Sequence, residues 1–169
     1  MSDVFTVSFF GHRWISDLNF VDAEIRKIVK KIITINDSVE FLVGRNCDFD
    51  IVTSKIISRN QHYFNGIVSH RCVLPFPNGV YNDNNYEFYY HHYDNTEIAY
   101  DSIEFYPKSS IKKRNIDMVN RSNLCVFYVN KDEGIAWQTM IYAISQNKDI
   151  INIADFHTEY NSSPSWHLW

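Results

Sequence analysis

Val7-Ser8-Phe9-Phe10-Gly11-His12-Arg13 is the stretch of the chain that decides the fold. A nearly continuous apolar run, typical of a buried parallel strand, breaks here into Gly-His-Arg. Ligands of open α/β folds bind beyond the carboxyl ends of the strands. A glycine at such an end lets the backbone turn and approach a ligand, while His12 and Arg13 can donate hydrogen bonds to an anion. The stretch therefore predicts a binding site after the first strand.

Strands and helices alternate through most of the remaining sequence. Four further apolar runs are typical of strands, at 39–43, 67–74, 124–129 and 150–153. Three amphipathic patterns are typical of helices, at 20–35, 48–63 and 134–147. This alternation predicts parallel pairing through right-handed crossovers. We therefore expect a single-domain, Rossmann-like α/β three-layer sandwich over residues 1–169, with a mainly parallel sheet of about five strands plus a short edge strand.

The helix caps, the segment after the third strand and the C-terminal tail follow a less regular pattern. Asn19 is the expected N-cap of the first helix. Residues 78–107 form an aromatic-rich insertion, with the short edge strand expected at 103–106. A short helix, capped by Ser109 or Ser110, is expected to run through Lys112 to Arg121 after it. The C-terminal tail, 155–169, has no clear period. We expect any homo-oligomer to form through the insertion or this tail.

Composition indicates a globular protein and its compartment. The chain has 169 residues, of which 45% are hydrophobic and 21% charged, as is ordinary for one domain. A net charge of −4 gives no global basic field, so we expect no nucleic-acid partner. The N-terminus lacks the pattern of a signal peptide and no apolar run could span a bilayer, so we expect a cytoplasmic protein with no membrane partner.

Cysteine spacing bears on metal and disulfide chemistry. Cys47, Cys72 and Cys125 are odd in number and include no C-x-x-C pair. This spacing argues against a disulfide framework and a cysteine zinc site, and we predict no metal. No cofactor is evident beyond a nucleotide-derived ligand.

Four stretches fall just after a strand or at the start of a helix, where an α/β fold holds ligands. The candidate ligand-binding residues in them are Gly11, His12, Arg13, Gly44, Asp50, Arg114, Asn115 and Gly134. We identify no catalytic residue.

Each candidate side chain also has a structural interpretation. Arg13 can pair with a phosphate or with an acidic side chain such as Asp50. His12 can act as a general acid or base, or can fix the turn by hydrogen bonds. Asp50 can accept from a ribose hydroxyl or favour a helix N-terminus. Arg114 and Asn115 can reach the pocket or stabilise a neighbouring loop.

The order of these motifs resembles the SLOG superfamily, specifically its YpsA-like branch, which is related to the DprA and Lonely-guy proteins. The matching residues, in chain order, are Phe10-Gly11-His12-Arg13, Gly44 with Phe49-Asp50, Leu74-Pro75-Phe76, Tyr100-Asp101 with Tyr106-Pro107, Arg114-Asn115 with Met118-Val119, and Gly134-Ile135-Ala136 with Thr139 and Tyr142-Ala143. The resemblance spans residues 4–154. It implies a Rossmann-like fold and a pocket for a nucleotide or a nucleotide-derived molecule.

The chain departs from this family in two of the matching motifs and lacks a third. Arg45, Asn46, Cys47 and Asp48 follow Gly44, where the family has a glycine-rich turn, and Ile135 replaces the second glycine of the late motif. The Pro-Gly-Gly-x-Gly-Thr-x-x-Glu motif of the branch that cleaves N-glycosidic bonds is absent. We therefore predict binding or sensing of a nucleotide-derived small molecule without catalysis.

Two alternatives stay open. The first is a nucleoside-phosphate N-glycosidic hydrolase that uses Asp50 or Glu133. The second is a protein-interaction module in which the pocket is vestigial. Its working surface would then be the insertion and the tail that holds Trp166 and Trp169.

Overall fold

A computed structural model describes residues 3–45, 47–61, 63–64, 67–75, 93–99 and 107–156 of the chain. Their helices and strands, in chain order, are β1 (Phe5–Gly11), α1 (Leu18–Ile35), β2 (Val39–Val43), α2 (Asp48–Gln61), β3 (Val68–Leu74), β4 (Asn95–Ile98), α3 (Pro107–Arg121), β5 (Leu124–Tyr128), α4 (Gly134–Ser145) and β6 (Asp149–Asn152).

The six strands form one parallel sheet in the order β4-β3-β2-β1-β5-β6. The chain moves outward from β1 to β4 and then crosses back to β5 on the other side of β1. Strand order therefore reverses between β1 and β5, where Gly11 is in register with Tyr128. The His12 N–H continues this pairing past the strand by donating to the Tyr128 carbonyl at 3.2 Å. Such a reversal is where open α/β sheets bind ligands.

Helices cover both faces of the sheet, so the fold is the predicted α/β three-layer sandwich. Successive side chains of β1 point to opposite faces, which places Phe9 in one core and Phe10 in the other. The Phe9 ring lies 5.8 Å from Phe41 in the core beneath α1 and α2. The Phe10 ring stacks on Phe127 at 5.2 Å in the core beneath α3 and α4.

The first helix begins earlier than its predicted cap. Asp17, not Asn19, is the N-cap, and its carboxylate accepts from the Phe20 N–H at 3.0 Å. An ionised carboxylate is favoured at a helix N-terminus by both the unpaired N–H groups and the dipole. Asn19 consequently lies exposed within the first turn.

The edge strand comes from within the segment that the sequence assigns to an insertion. β4 pairs with β3 in parallel, with Asn95 opposite Arg71. The predicted edge strand at 103–106 lies outside the described residues, as do Phe76, Tyr100, Asp101 and the tail from 157 to 169. Helix α3 starts at Pro107, before the predicted caps Ser109 and Ser110, because proline suits the first position of a helix, where no N–H partner is lost.

Within the described ranges, no helix is both long and apolar enough to cross a membrane. Cys47, Cys72 and Cys125 are free thiols.

Candidate functional site

A cavity of about 260 Å³ opens at the carboxyl ends of β1 and β5, and we call it the switch-point cavity. Its volume lies just under the range of about 300–1,000 Å³ that is usual for ligand pockets. Seven of the eight candidate residues line it: Gly11, His12, Arg13, Asp50, Arg114, Asn115 and Gly134. The other lining residues are Phe9, Phe10, Cys47, Ile111, Ile135 and Ala136. The sheet thus brings together residues from distant parts of the sequence.

Gly11 is required by packing. A Cβ at this position would lie 2.7 Å from Phe49 Cδ1, too close for any real side chain. The Phe49 ring also stacks on Tyr128 of β5, with 6.2 Å between ring centroids and 15° between planes. The start of α2 therefore packs closely on both strands of the switch point. Packing against Phe49 thus explains the glycine, and the expectation that Gly11 lets the backbone approach a ligand stays a prediction.

His12 lies partly buried between the two strand ends. Its Nε2 is buried and has no hydrogen-bond partner among the described residues. Burial lowers the pKa of His12 below 6.5, a hydrogen bond with the Lys131 backbone opposes this shift, and the Lys131 charge reinforces it. The ring is therefore neutral at pH 7, so it can both donate and accept a hydrogen bond.

The backbone and the side chain of Arg13 lie in different surroundings. Its carbonyl accepts from the Asp48 N–H at 3.1 Å, which attaches the loop after β1 to the first turn of α2. Its side chain is exposed at the mouth of the cavity. The guanidinium is thus accessible to an anion that enters the cavity.

Arg114 is a buried cation in the cavity wall, with 4% of its surface exposed. Its Nε and Nη2 donate to Asn115 Oδ1 at 3.1 and 2.9 Å, and its Nη1 donates to the Val73 carbonyl at 3.2 Å. Burial lowers the pKa of Arg114, and the negative charge of Asp50 opposes that shift. The carboxylate of Asp50 therefore interacts with Arg114.

Gly44 stands behind these two charged groups and does not line the cavity. A Cβ at position 44 would lie 2.6 Å from Arg114 Nη1 and 2.8 Å from Asp50 Oδ2. The missing side chain gives both groups room at the end of β2. The sequence placed Gly44 among the ligand-binding candidates, whereas in the structure it lies behind the cavity wall, next to Arg114 and Asp50.

A chain of hydrogen bonds joins Arg114 to the start of α4. Asn115 orients the guanidinium through Oδ1 and donates through Nδ2 to Thr139 Oγ1 at 3.0 Å. The Thr139 hydroxyl in turn donates to the Ile135 carbonyl at 2.8 Å. Sequence reasoning placed Thr139 in a motif but did not include it in the site.

The N-terminus of α4 faces the cavity without a side-chain cap. Glu133 is the N-cap residue but makes no capping hydrogen bond, and its side chain is exposed. Gly134 has a φ of +85°, and no atom lies within 4 Å of where its Cβ would be. The first N–H groups of a helix lack partners within the helix, so this turn offers donors to an anion.

Cys47 lines the same cavity as a protonated thiol. Burial raises its pKa far above the ordinary value, and the nearby charge of Asp50 raises it further. A thiol in this state is a poor nucleophile.

The fold is shared with DNA processing protein A (DprA), a protein related to the SLOG superfamily. The Streptococcus pneumoniae protein superimposes with a TM-score of 0.64 at 13% identity, over 95% of this chain and 57% of that one. The Helicobacter pylori protein, whose structure concerns its single-stranded DNA binding mode, gives a TM-score of 0.62 at 12% identity, over 95% of this chain and 74% of that one. This chain therefore spans little more than half the length of the S. pneumoniae protein. No family model and no curated protein sequence matches it.

This likeness contradicts the expectation that nucleic acid is excluded as a partner. The H. pylori protein has the same fold and binds single-stranded DNA. A net charge of −4 averages over the whole surface, whereas phosphates are contacted by local cations. Arg13 and Lys131 are two such exposed cations at the carboxyl edge of the sheet.

Proposed function

We propose that the switch-point cavity binds a nucleotide or a nucleotide-derived small molecule and that the chain acts by binding or sensing it. The observation that carries the proposal is the position of Arg114. The Arg114 guanidinium is buried in the cavity wall, where Asn115 holds it and links it to the uncapped start of α4. The guanidinium and the first turn of α4 thus place fixed donors on two sides of one space. Fixed donors of this kind suit an anionic ligand.

The cavity combines these donors with apolar walls. Phe10, Ile111 and Ile135 contribute apolar surface, which suits a base or a sugar ring, while Arg13 at the mouth suits a phosphate. Asp50 is placed to accept from a ribose hydroxyl. A volume of about 260 Å³ favours one nucleotide unit over a larger cofactor. In this proposal the chain belongs to the YpsA-like branch, which the ordered motifs of the sequence support.

The hydrolase alternative has less support from the geometry. Cleavage of a glycosidic bond needs a carboxylate at the sugar, and Asp50 alone of the two candidates lines the cavity. Glu133 lies exposed outside it. The protein-interaction alternative depends on residues 78–107 and 155–169, most of which lie outside the described residues.

Isothermal titration of the full chain with AMP, ADP and ADP-ribose tests the proposal. We expect binding of at least one of these, a large loss of affinity in Arg13→Ala, and no change in Arg59→Ala. Arg59 is a matched control because it lies in the last turn of α2, away from the cavity. Absence of binding by the wild type, or equal binding by Arg13→Ala, contradicts the proposal. Release of free base from AMP would favour the hydrolase instead.

Single-stranded DNA is a second candidate ligand. It is favoured by one finding, that the H. pylori protein of this fold binds single-stranded DNA. Fluorescence anisotropy with a labelled oligonucleotide at several salt concentrations tests it. Affinity that falls steeply with salt and is weakened in Arg13→Ala supports this candidate, because each cation–phosphate contact adds to the salt dependence. Absence of binding at low salt excludes it.

A further inference from the structure

A second depression adjoins the switch-point cavity. It has a volume of about 540 Å³ and is lined by His12, Arg13, Trp14, Lys131 and Gly134, among others. We call it the Trp14 groove. His12, Arg13 and Gly134 line both spaces, so the groove and the cavity meet at these three residues.

Trp14 is largely exposed, and its packing against the described part of the chain does not explain its position. Its side chain is 78% exposed, although tryptophan is usually among the residues with most of their surface buried. It directly follows Arg13, and the next residue, Ile15, turns into the core. A large aromatic surface in water beside a depression is typical of a binding surface.

The charges around the indole restrict what it can bind. Arg13 and Lys131 line the same groove, and both side chains are exposed. Glu133 is the acidic residue in the lining, so cations outnumber it. An aromatic face flanked by cations suits a flat ring that carries phosphate, because the ring stacks on the indole and the phosphate pairs with the cations.

We propose that Trp14 is a stacking platform for a second base, so that the ligand consists of two nucleotides joined through phosphate. One nucleotide occupies the switch-point cavity, the linking phosphate lies against Arg13 where the two spaces meet, and the neighbouring base stacks on Trp14. This inference rests on the proposed function, since it assumes that the cavity holds a nucleotide. It adds the ligand class: a dinucleotide, or two successive nucleotides of a single strand.

Titrations with AMP and with the linear dinucleotide ApA, each carried out on the full chain, test this proposal. We expect Trp14→Ala to weaken ApA binding roughly 5- to 150-fold, the range of one base–aromatic stack, and to leave AMP binding unchanged. Trp14→Phe keeps an aromatic face and should retain most of the affinity. Tyr63→Ala is the matched control: Tyr63 is 83% exposed and follows the C-terminal end of α2, at the other edge of the sheet.

The outcomes separate this inference from the proposed function. If AMP binds but Trp14→Ala leaves the affinity for ApA unchanged, the stacking role of Trp14 is overturned and the cavity proposal stays intact. Absence of binding to both AMP and ApA overturns both. A longer single-stranded oligonucleotide distinguishes the two ligand sources. If it binds through Trp14 as strongly as ApA does, the site holds two nucleotides. If it binds much more tightly than ApA, the ligand is a nucleic-acid strand. Light scattering gives the oligomeric state of both proteins. If the wild type is a dimer and Trp14→Ala is a monomer, Trp14 contacts a second copy of the chain and the inference is overturned.

Discussion

Asn115 Nδ2 donates to Thr139 Oγ1 at 3.0 Å, and this bond joins the helix that carries Arg114 to the helix whose first turn faces the switch-point cavity. The same amide accepts from Arg114 through its oxygen. Both ends of the Asn115 side chain are therefore in use, and both partners are buried. The Asn115 amide thus connects two of the helices that form the cavity wall.

Asn115→Ala should destabilise the fold by about 1–3 kcal/mol, because it leaves N–H donors of a buried guanidinium without an acceptor. Urea denaturation measures this free energy of unfolding. Lys112→Ala is the control on the exposed side of the same helix, and we expect a change within about 0.5 kcal/mol there. If the two substitutions change the free energy of unfolding equally, the buried hydrogen bonds of Asn115 do not stabilise the fold.

Gly11→Ala should destabilise the fold by about 1–3 kcal/mol through overpacking against the Phe49 ring. Phe49→Ala removes Cγ and Cδ1, two of the three atoms nearest to position 11, and should reduce the cost of the alanine at position 11. Thermal or urea unfolding of both single variants and the double variant gives the coupling between the two positions. Strict additivity would contradict the contact.

Gly44→Ala should both destabilise the fold and weaken nucleotide binding, since its methyl group displaces Arg114 Nη1 and Asp50 Oδ2. We expect a loss of about 1–3 kcal/mol in the free energy of unfolding. Calorimetric titration of the variant with the ligand found for the wild type measures the second effect. Unchanged affinity in a destabilised variant would place the Arg114–Asp50 pair outside ligand recognition.

The lowered pKa of His12 predicts a specific dependence of stability on pH. The unfolded chain binds a proton at His12 near pH 6.5, whereas the folded chain resists it, so stability falls as the pH drops below about 6.5. His12→Gln removes this contribution. The free energy of unfolding of the variant relative to wild type should therefore increase from about pH 8 to about pH 5. The other six histidines are common to both proteins, and a constant difference would contradict the prediction.

The sequence was sufficient for the features that depend on periodicity. Buried β1 follows from its continuous apolar run, and the buried stripe of α1 follows from the spacing of Val21, Ile25 and Ile28. The convergence of distant site residues could be predicted as well, because parallel strands bring their carboxyl ends to one edge.

Features that depend on three-dimensional neighbours could not be predicted in this way. β4 has the sequence Asn-Thr-Glu-Ile, which carries no strand pattern of its own, and it forms because β3 supplies a free edge. The roles of Gly11 and Gly44 depend on Phe49 and on Arg114, which are remote in the sequence. The expectation about nucleic acid was wrong because a net charge carries no information about where the charges lie.

The close packing of Gly11 under Phe49 has a consequence for how related chains are to be found. Identities of 12–13% to solved structures of the same fold leave little signal in any one position. Position 11, however, has no room for a Cβ while the first turn of α2 packs on β1, because the Phe49 Cβ and Cγ already fill that space. Homologues that keep this packing should therefore keep the glycine, whichever side chain occupies position 49. A glycine kept at the end of the first strand would identify distant relatives where residue-by-residue similarity has faded.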